Sequence, residues 1–211
     1  MRKSFFEYGF TLAEVLITLG IIGVVAAITI PNLMTSYKVH VIHKKLLKSY
    51  SVIKQVERMM KYDDIDPEEY RANSKTPFYK IFIKYMGGAT DCGSGYVNKC
   101  FSVWDTYKNT GWSQAFMDDG CIISADGIVY FFENIYSSTS TDQPLMITVD
   151  INGYKTKPNK LGIDLFVFEC VNGEFKPYGA QGTKATSERT KSTYKVLNDP
   201  NYIKYLLKTV K

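Results

Sequence analysis

The pattern of apolar and polar positions divides the chain into three stretches. From Phe10 to Leu33 the sequence FTLAEVLITLGIIGVVAAITIPNL is almost unbroken hydrocarbon, 24 residues with one ionisable side chain, Glu14. About 20 apolar helical residues cross a bilayer core of roughly 30 Å, so this run is long enough to span one. Past Pro31 the pattern becomes Val39, Ile42, Leu46, Ile53, Val56 and Met60 at helical spacing, with Tyr50 beside the stripe. Lys44, Lys45, Lys48, Lys54 and Arg58 fall among the remaining positions. This predicts an amphipathic helical stem over residues 34–61 that continues the apolar run and offers one face to a globular domain. Asp63, Asp64 and Asp66-Pro67 end the pattern.

Residues 62–211 read as a head of α+β class. Cys121–Ala125 and Ile128–Phe132, joined by Asp126-Gly127, predict a β-hairpin with a tight two-residue turn. Leu145–Ile151 and Leu165–Cys170 are further strands, and Asn172-Gly173 turns the chain into Glu174-Phe175-Lys176. Three or four antiparallel strands packed on the stem make a compact domain. Residues 179–196, rich in Gly, Ser, Thr and Lys, suggest a surface loop. Asp199-Pro200 suggests a cap and first turn for a final helix through Leu206 and Leu207.

A chain of 211 residues allows one ordinary domain plus an appendage, and 14% aromatic residues call for a packed core. The formal net charge of +5 is a mild excess that does not by itself indicate nucleic-acid binding. A secretory signal carries a small-residue cleavage site after its apolar stretch, where this chain has Ile30-Pro31-Asn32-Leu33. The span therefore stays attached on that side. Arg2 and Lys3 favour a cytoplasmic N-terminus, but Lys38, Lys44, Lys45 and Lys48 follow the run, so charge alone leaves the topology mixed. Gly20, Gly23 and Ala27 recur at a spacing that lets apolar helices approach closely.

Glu14 lies four residues into the run, where a mid-bilayer charge costs about 2.5–3.5 kcal/mol, less near the interface. Gly9-Phe10 puts a small residue at the junction between the charged head and the apolar run. Gly9-Phe10-Thr11-Leu12-Ala13-Glu14-Val15-Leu16 resembles the cleavage and N-methylation signature of the type IV pilin and type II secretion pseudopilin family, with a basic leader and the apolar run in register. The resemblance covers roughly residues 1–60. It implies that prepilin peptidase removes residues 1–9, cutting between Gly9 and Phe10, and that the new amino group of Phe10 is methylated. Glu14 then becomes the fifth residue of the mature chain, where the family keeps its glutamate. Pro31 matches the proline that kinks or locally melts the family's helix. Glu7-Tyr8 departs from the basic residue often found before the Gly. The implied fold is pilin-like: a long membrane-spanning helix (10–33, then 34–61) whose C-terminal half packs on a small antiparallel sheet.

Physical chemistry gives the same pattern a mechanism. The amine of a new Phe10 terminus is a cation in an apolar setting, and Glu14 of a neighbouring subunit is its natural counter-charge. The resemblance also implies the partners: copies of the chain and other pilin-like subunits, prepilin peptidase, an assembly platform and its ATPase. It breaks the tie in topology towards a single pass through the bacterial cytoplasmic membrane with an exported head, and a periplasmic or extracellular filament after assembly.

Four cysteines, Cys92, Cys100, Cys121 and Cys170, lie in the head. An even count in an exported domain favours two disulfides, with three connectivities open. Cys92 and Cys100 flank a short Gly-rich loop, which favours that bridge and leaves Cys121–Cys170 to join two strands. His40 and His43 lack the further ligands a metal site needs and read as surface residues. In DINGYKTKPNKLGIDLF, residues 150–166, Asp150, Asn152 and Asp164 either offer oxygens to calcium or cap turns; Tyr154 and Leu161 stand where an EF-hand loop needs ligands. The stretch is similar to a segment recurring in prepilin-like proteins. No nucleotide loop, nucleophile elbow or HExxH occurs, so the chemistry implied by the leader is done to this chain rather than by it. The leading expectation is a structural filament subunit, with calcium at Asp150, Asn152 and Asp164 the one cofactor left open. The alternative is a minor pilin whose head binds DNA or a surface ligand, using Lys184, Arg189, Lys191 and Lys195 around Tyr194.

Overall fold

The computed structural model describes residues 9–73, 75–133 and 143–209, so the expected leader features before Gly9 lie outside the described residues. The chain forms two compact units, Met1–Lys38 and Val39–Lys211. Helix α1 (Leu12–Tyr62) contributes to both. In the first unit its apolar side chains are bare: Ile17, Ile22 and Ile28 are each more than 60% exposed. Such exposure suits a helix whose solvent is hydrocarbon or another helix rather than water.

The second unit is built on a six-stranded antiparallel meander, β1 (Thr90–Gly93), β2 (Gly120–Ile123), β3 (Val129–Glu133), β4 (Met146–Asp150), β5 (Leu165–Val171) and β6 (Glu174–Pro177), each strand paired with the next in sequence. Around it lie short helices α2 (Pro67–Asn73), α3 (Phe78–Phe82), α4 (Val103–Thr106), α5 (Ser192–Asn198) and α6 (Tyr202–Thr209). The stem half of α1 buries Val39, Leu46, Ile53, Val56 and Met60, the stripe read from the sequence. These side chains share one core with Phe78, Phe82, Tyr130, Phe132, Phe168 and Phe175, and Tyr50 stacks on Phe168 with ring centroids 5.3 Å apart. The alternate residues Val129 and Phe131 of β3 enter a second cluster with Tyr107, Met117, Cys92 and Cys121. Both faces of the sheet are therefore covered, which is why Val129–Phe132 reads as a continuous apolar run instead of an alternation.

Glu57 is the charged exception on the buried face of α1, with its side chain 3% exposed. Its carboxylate accepts the backbone N–H of Phe175 in β6 at 2.8 Å and both Lys54 Nζ contacts at 2.8 and 2.9 Å, with Lys61 Nζ at 3.4 Å. The stem thus supplies a hydrogen-bond acceptor to a strand as well as an apolar face.

Several expectations need correction. The sheet has six strands, not three or four: β1 carries no periodic signal, and the segment beyond the Asn172-Gly173 turn pairs as a full edge strand, β6. The β2–β3 turn is one residue longer than expected: Ser124 accepts the Gly127 N–H, and Gly127 alone takes a positive φ, +83°. Asp126 instead faces the stem and pairs with Lys48 at 2.6 Å. Asn172-Gly173 is the two-residue turn expected, with φ of 55° and 73°; a Cβ at Gly173 would collide with the Asp66 carboxylate. The stretch 179–196 is not all loop: α5 begins at Ser192, and Ser192, Thr193 and Val196 are buried. Thr193 Oγ1 accepts the Val167 N–H at 2.8 Å, which docks α5 on β5.

The Cys92–Cys100 bridge forms, with Cα atoms 5.3 Å apart. Cys121–Cys170 does not; both thiols are free and buried. Cys121 lies on β2 and Cys170 on β5, and β3 and β4 run between them. Three strand spacings of about 4.8 Å put them roughly 14 Å apart, beyond the reach of a disulfide.

Candidate functional site: the N-terminal motif and the polar clusters of the head

Helix α1 starts at Leu12 with Thr11 as its N-cap. Glu14 N donates to Thr11 Oγ1 at 3.2 Å, and Glu14 Oε2 accepts from both Thr11 N and Thr11 Oγ1 at 2.8 Å. This is a capping box, in which two otherwise orphaned donors at the helix start are satisfied reciprocally. The signal for it, T-x-x-E before an apolar run, stands in the sequence at Thr11–Glu14. The carboxylate in the apolar run is thus held by its own helix start, immediately after the expected cleavage position Gly9-Phe10. Phe10 is 89% exposed, and a Cβ at Gly9 would meet nothing within 4 Å.

Further along, polar side chains return to carbonyls of the preceding turn: Thr18 Oγ1 to Glu14 O at 2.9 Å, Thr29 Oγ1 to Val25 O at 2.9 Å, Asn32 Nδ2 to Ile28 O at 3.2 Å and Thr35 Oγ1 to Pro31 O at 3.0 Å. In hydrocarbon that self-satisfaction removes most of the cost of a polar group. α1 runs on as helix through Pro31. Gly20 and Gly23 lie on the exposed part of α1.

In the head, the structure brings Asp150, Asn152 and Asp164 together and gives each carboxylate protein donors. Asp150 accepts Tyr107 Oη–H at 2.7 Å, Asn152 N–H at 3.1 Å and Gly153 N–H at 3.0 Å. Asp164 accepts Asn159 N–H at 2.8 Å, Lys160 N–H at 2.5 Å and Asn152 Nδ2–H at 3.2 Å. Both carboxylates are buried, and all four oxygens hold at least one donor. The pair fastens the 150–164 loop in the manner of Asx turns, with Asn159 Nδ2 and Leu161 N reaching Thr106 O and Thr110 O. Burial pushes Asp150 up to about 6 against the pull of these donors, and raises Asp164 as well.

A second acidic group escaped sequence reading. Asp118, Asp119 and Glu133 present oxygens within 4.8 Å of one another, because pairing of Gly120 with Phe132 sets the β2 start against the β3 end. Burial, with repulsion from the two aspartates, lifts Glu133 to about 8, and burial also raises Asp118.

Of the basic residues near the end of the chain, Lys195 pairs with Glu188 and lies over the Tyr202 ring at 5.0 Å, while the Lys184 N–H is held by the buried Glu169 at 2.8 Å. His40 is exposed, and His43 Nε2 lies 3.5 Å from Leu197 O.

Residues 6–30 match the prokaryotic N-terminal methylation motif. No curated protein and no solved structure is significantly similar to the chain. The matched residues include Gly9, Phe10, the Thr11–Glu14 capping box and most of the exposed apolar run. The chain therefore carries the prepilin motif of type IV pilins and pseudopilins, on a long N-terminal apolar helix followed by a six-stranded antiparallel sheet in an α+β, pilin-like architecture.

Proposed function

We propose that this chain is a structural subunit of a type IV pilus-like or type II secretion pseudopilus filament and not an enzyme. Prepilin peptidase cuts between Gly9 and Phe10, and Phe10 is N-methylated. Residues 10–33 hold the chain in the bacterial cytoplasmic membrane, with the head exported, until an assembly platform and its ATPase draw it into a filament of like subunits. The observation that supports this reading is Glu14: the one carboxylate of the apolar run from Phe10 to Leu33, inside the residues that match the methylation motif.

The capping box refines the pairing mechanism. Before assembly, Thr11 supplies donors to Glu14, so the isolated helix does not hold a naked charge. In the filament the N-terminal amine of an adjacent Phe10 supplies the positive charge that Thr11 lacks. Substitution separates the two roles. Glu14→Gln keeps an acceptor for the cap and removes the charge; Glu14→Ala removes both. Both variants are expected to be cleaved and methylated, as read by mass spectrometry of the N-terminus, and both to be missing from purified filaments. Incorporation of Glu14→Gln at the level of the unaltered chain would show that the glutamate acts only as a helix cap. An intact Met1 in the assembled material would overturn the processing reading itself.

A further inference from the structure

The segment that follows β1 presents a pair of aromatic rings to solvent from a braced loop. Cys92 and Cys100 are bonded, Lys99 N–H donates to Cys92 O at 2.9 Å and Val103 N–H donates to Tyr96 O at 2.7 Å, so Tyr96 is tied to the start of α4. Trp104 on α4 stacks on Tyr96 with ring centroids 4.8 Å apart and planes 24° from parallel, yet stays 52% exposed. Trp and Tyr held half in water are typical of contact surfaces, where one side is apolar and the other polar. The brace also means that a partner orders few further groups on arrival.

The hydroxyl end of Tyr96 carries the pair to a group of acids. That hydroxyl donates to the Asp118 carboxylate, and Gly95 N–H donates to Asp118 O at 2.5 Å. Asp118, Asp119 and Glu133 have oxygens within 4.8 Å of one another. The charge of Asp118, then burial, then the charges of Glu133 and Asp119 raise the Tyr96 phenol above its ordinary value, so all three acids lie near that one ring. Asp118 and Glu133 make no ion pair among the described residues, and Glu133 Oε2 is buried there without a hydrogen-bond donor.

We propose that the Tyr96–Trp104 rings and the adjoining Asp118 receive a lysine side chain from a second copy of the chain. The proposal rests on the filament reading and adds to it one contact between heads. Charge complementarity selects the occupant. An ammonium gains from a ring face and from carboxylates at once, whereas an anion or an acidic surface is repelled by both. Copies of a chain with a formal net charge of +5, most of its cations lysine, offer one another more ammonium groups than carboxylates. Like charge also keeps the patch from meeting the same patch on its neighbour. The contact is therefore heterologous, one face against a different face, which is the kind that repeats along an open helical polymer.

The test is zero-length cross-linking with a carbodiimide, which joins a carboxylate to an amine in contact with it, read by peptide mass spectrometry. Purified filaments are compared with the full chain dispersed in detergent. Lys48 and Asp126, 2.6 Å apart within one chain, are the internal control and should link in both samples. Asp118 or Glu133 is expected to link to a lysine in filaments only. Trp104→Ala removes an exposed ring and should lower that link about threefold, with the control link unchanged and Trp104→Tyr restoring most of the yield. Filaments that show the control link and none from Asp118 or Glu133 overturn the proposal. So does a link equally strong in the dispersed chain, a yield that Trp104→Ala does not move, or a link to a different protein that purifies with the filament. Failure of the chain to form filaments at all, with the control link present, overturns the filament reading itself.

Discussion

Glu57 joins the stem of α1 to β6, and its replacement tests how far that joint depends on one acceptor. In Glu57→Ala the buried N–H of Phe175 loses its partner, which costs about 1–3 kcal/mol. The truncation also withdraws one buried methylene, worth about 0.8 kcal/mol. Lys54 and Lys61, 30% and 40% exposed, turn to water at little cost. The sum is about 3 kcal/mol, which at a urea slope of roughly 2 kcal/mol/M moves the midpoint down by about 1.5 M. Glu57→Gln retains an oxygen for the Phe175 N–H and gives up only the half-exposed ion pairs, so it should lose about 1 kcal/mol or less. The assay is urea unfolding of the full chain in detergent, followed by near-ultraviolet circular dichroism of the aromatic core. A Gln variant as damaged as the Ala variant would refute the reasoning, because the charge and not the acceptor would then hold the joint. An Ala variant within about 0.5 kcal/mol of the unaltered chain would dismiss the joint altogether.

Other expectations follow from the buried polar groups of the head. Asp150 is raised from its ordinary 3.8 to about 6, so the folded chain holds that proton more tightly than the unfolded one. Its contribution is therefore greatest at low pH and is lost as pH rises from about 4 through 6, by up to about 3 kcal/mol. Comparison of unfolding across that window with Asp150→Asn should show the variant gaining relative stability as pH rises; parallel profiles would contradict the shift. Tyr107→Phe withdraws the hydroxyl donor of Asp150 and should cost about 1.5–3 kcal/mol in the same unfolding measurement at neutral pH. Peptide mapping without reductant should recover the Cys92–Cys100 bridge and two free thiols. Burial pushes Cys121 and Cys170 far above the usual thiol range, so maleimide should label them only after denaturation. Calcium should leave the unfolding temperature unchanged, since the oxygens of Asp150 and Asp164 already hold protein donors. A calcium-dependent rise abolished by Asp164→Ala would show that the ion displaces them.

Local features of the sequence were enough for the elements whose signal is periodic or chemical. The run from Phe10 to Leu33, the stripe from Val39 to Met60 and the Asn172-Gly173 turn each state their conformation within a few residues, because helix period, bilayer thickness and positive φ are local constraints. The motif around Gly9, Phe10 and Glu14 was legible for the same reason. The Thr11–Glu14 capping box is equally local, since T-x-x-E before an apolar run is its whole signal.

Other features depended on which strand lies beside which. Cys121 and Cys170 looked like partners until β3 and β4 came between them. Asp118 and Asp119 acquired Glu133 only through the register of β2 and β3. α5 was hidden in a polar stretch because its helix is stabilised by docking on β5 through Thr193, not by its own composition. The sequence by itself determined the long apolar run, the amphipathic stem and the methylation motif, because each is written in residues whose neighbours lie within one or two helical turns. Only the tertiary structure decided the disulfide pairing, the acidic clusters and the docking of α5 on β5. Those depend on contacts between residues far apart in the chain, and periodicity carries no record of such contacts.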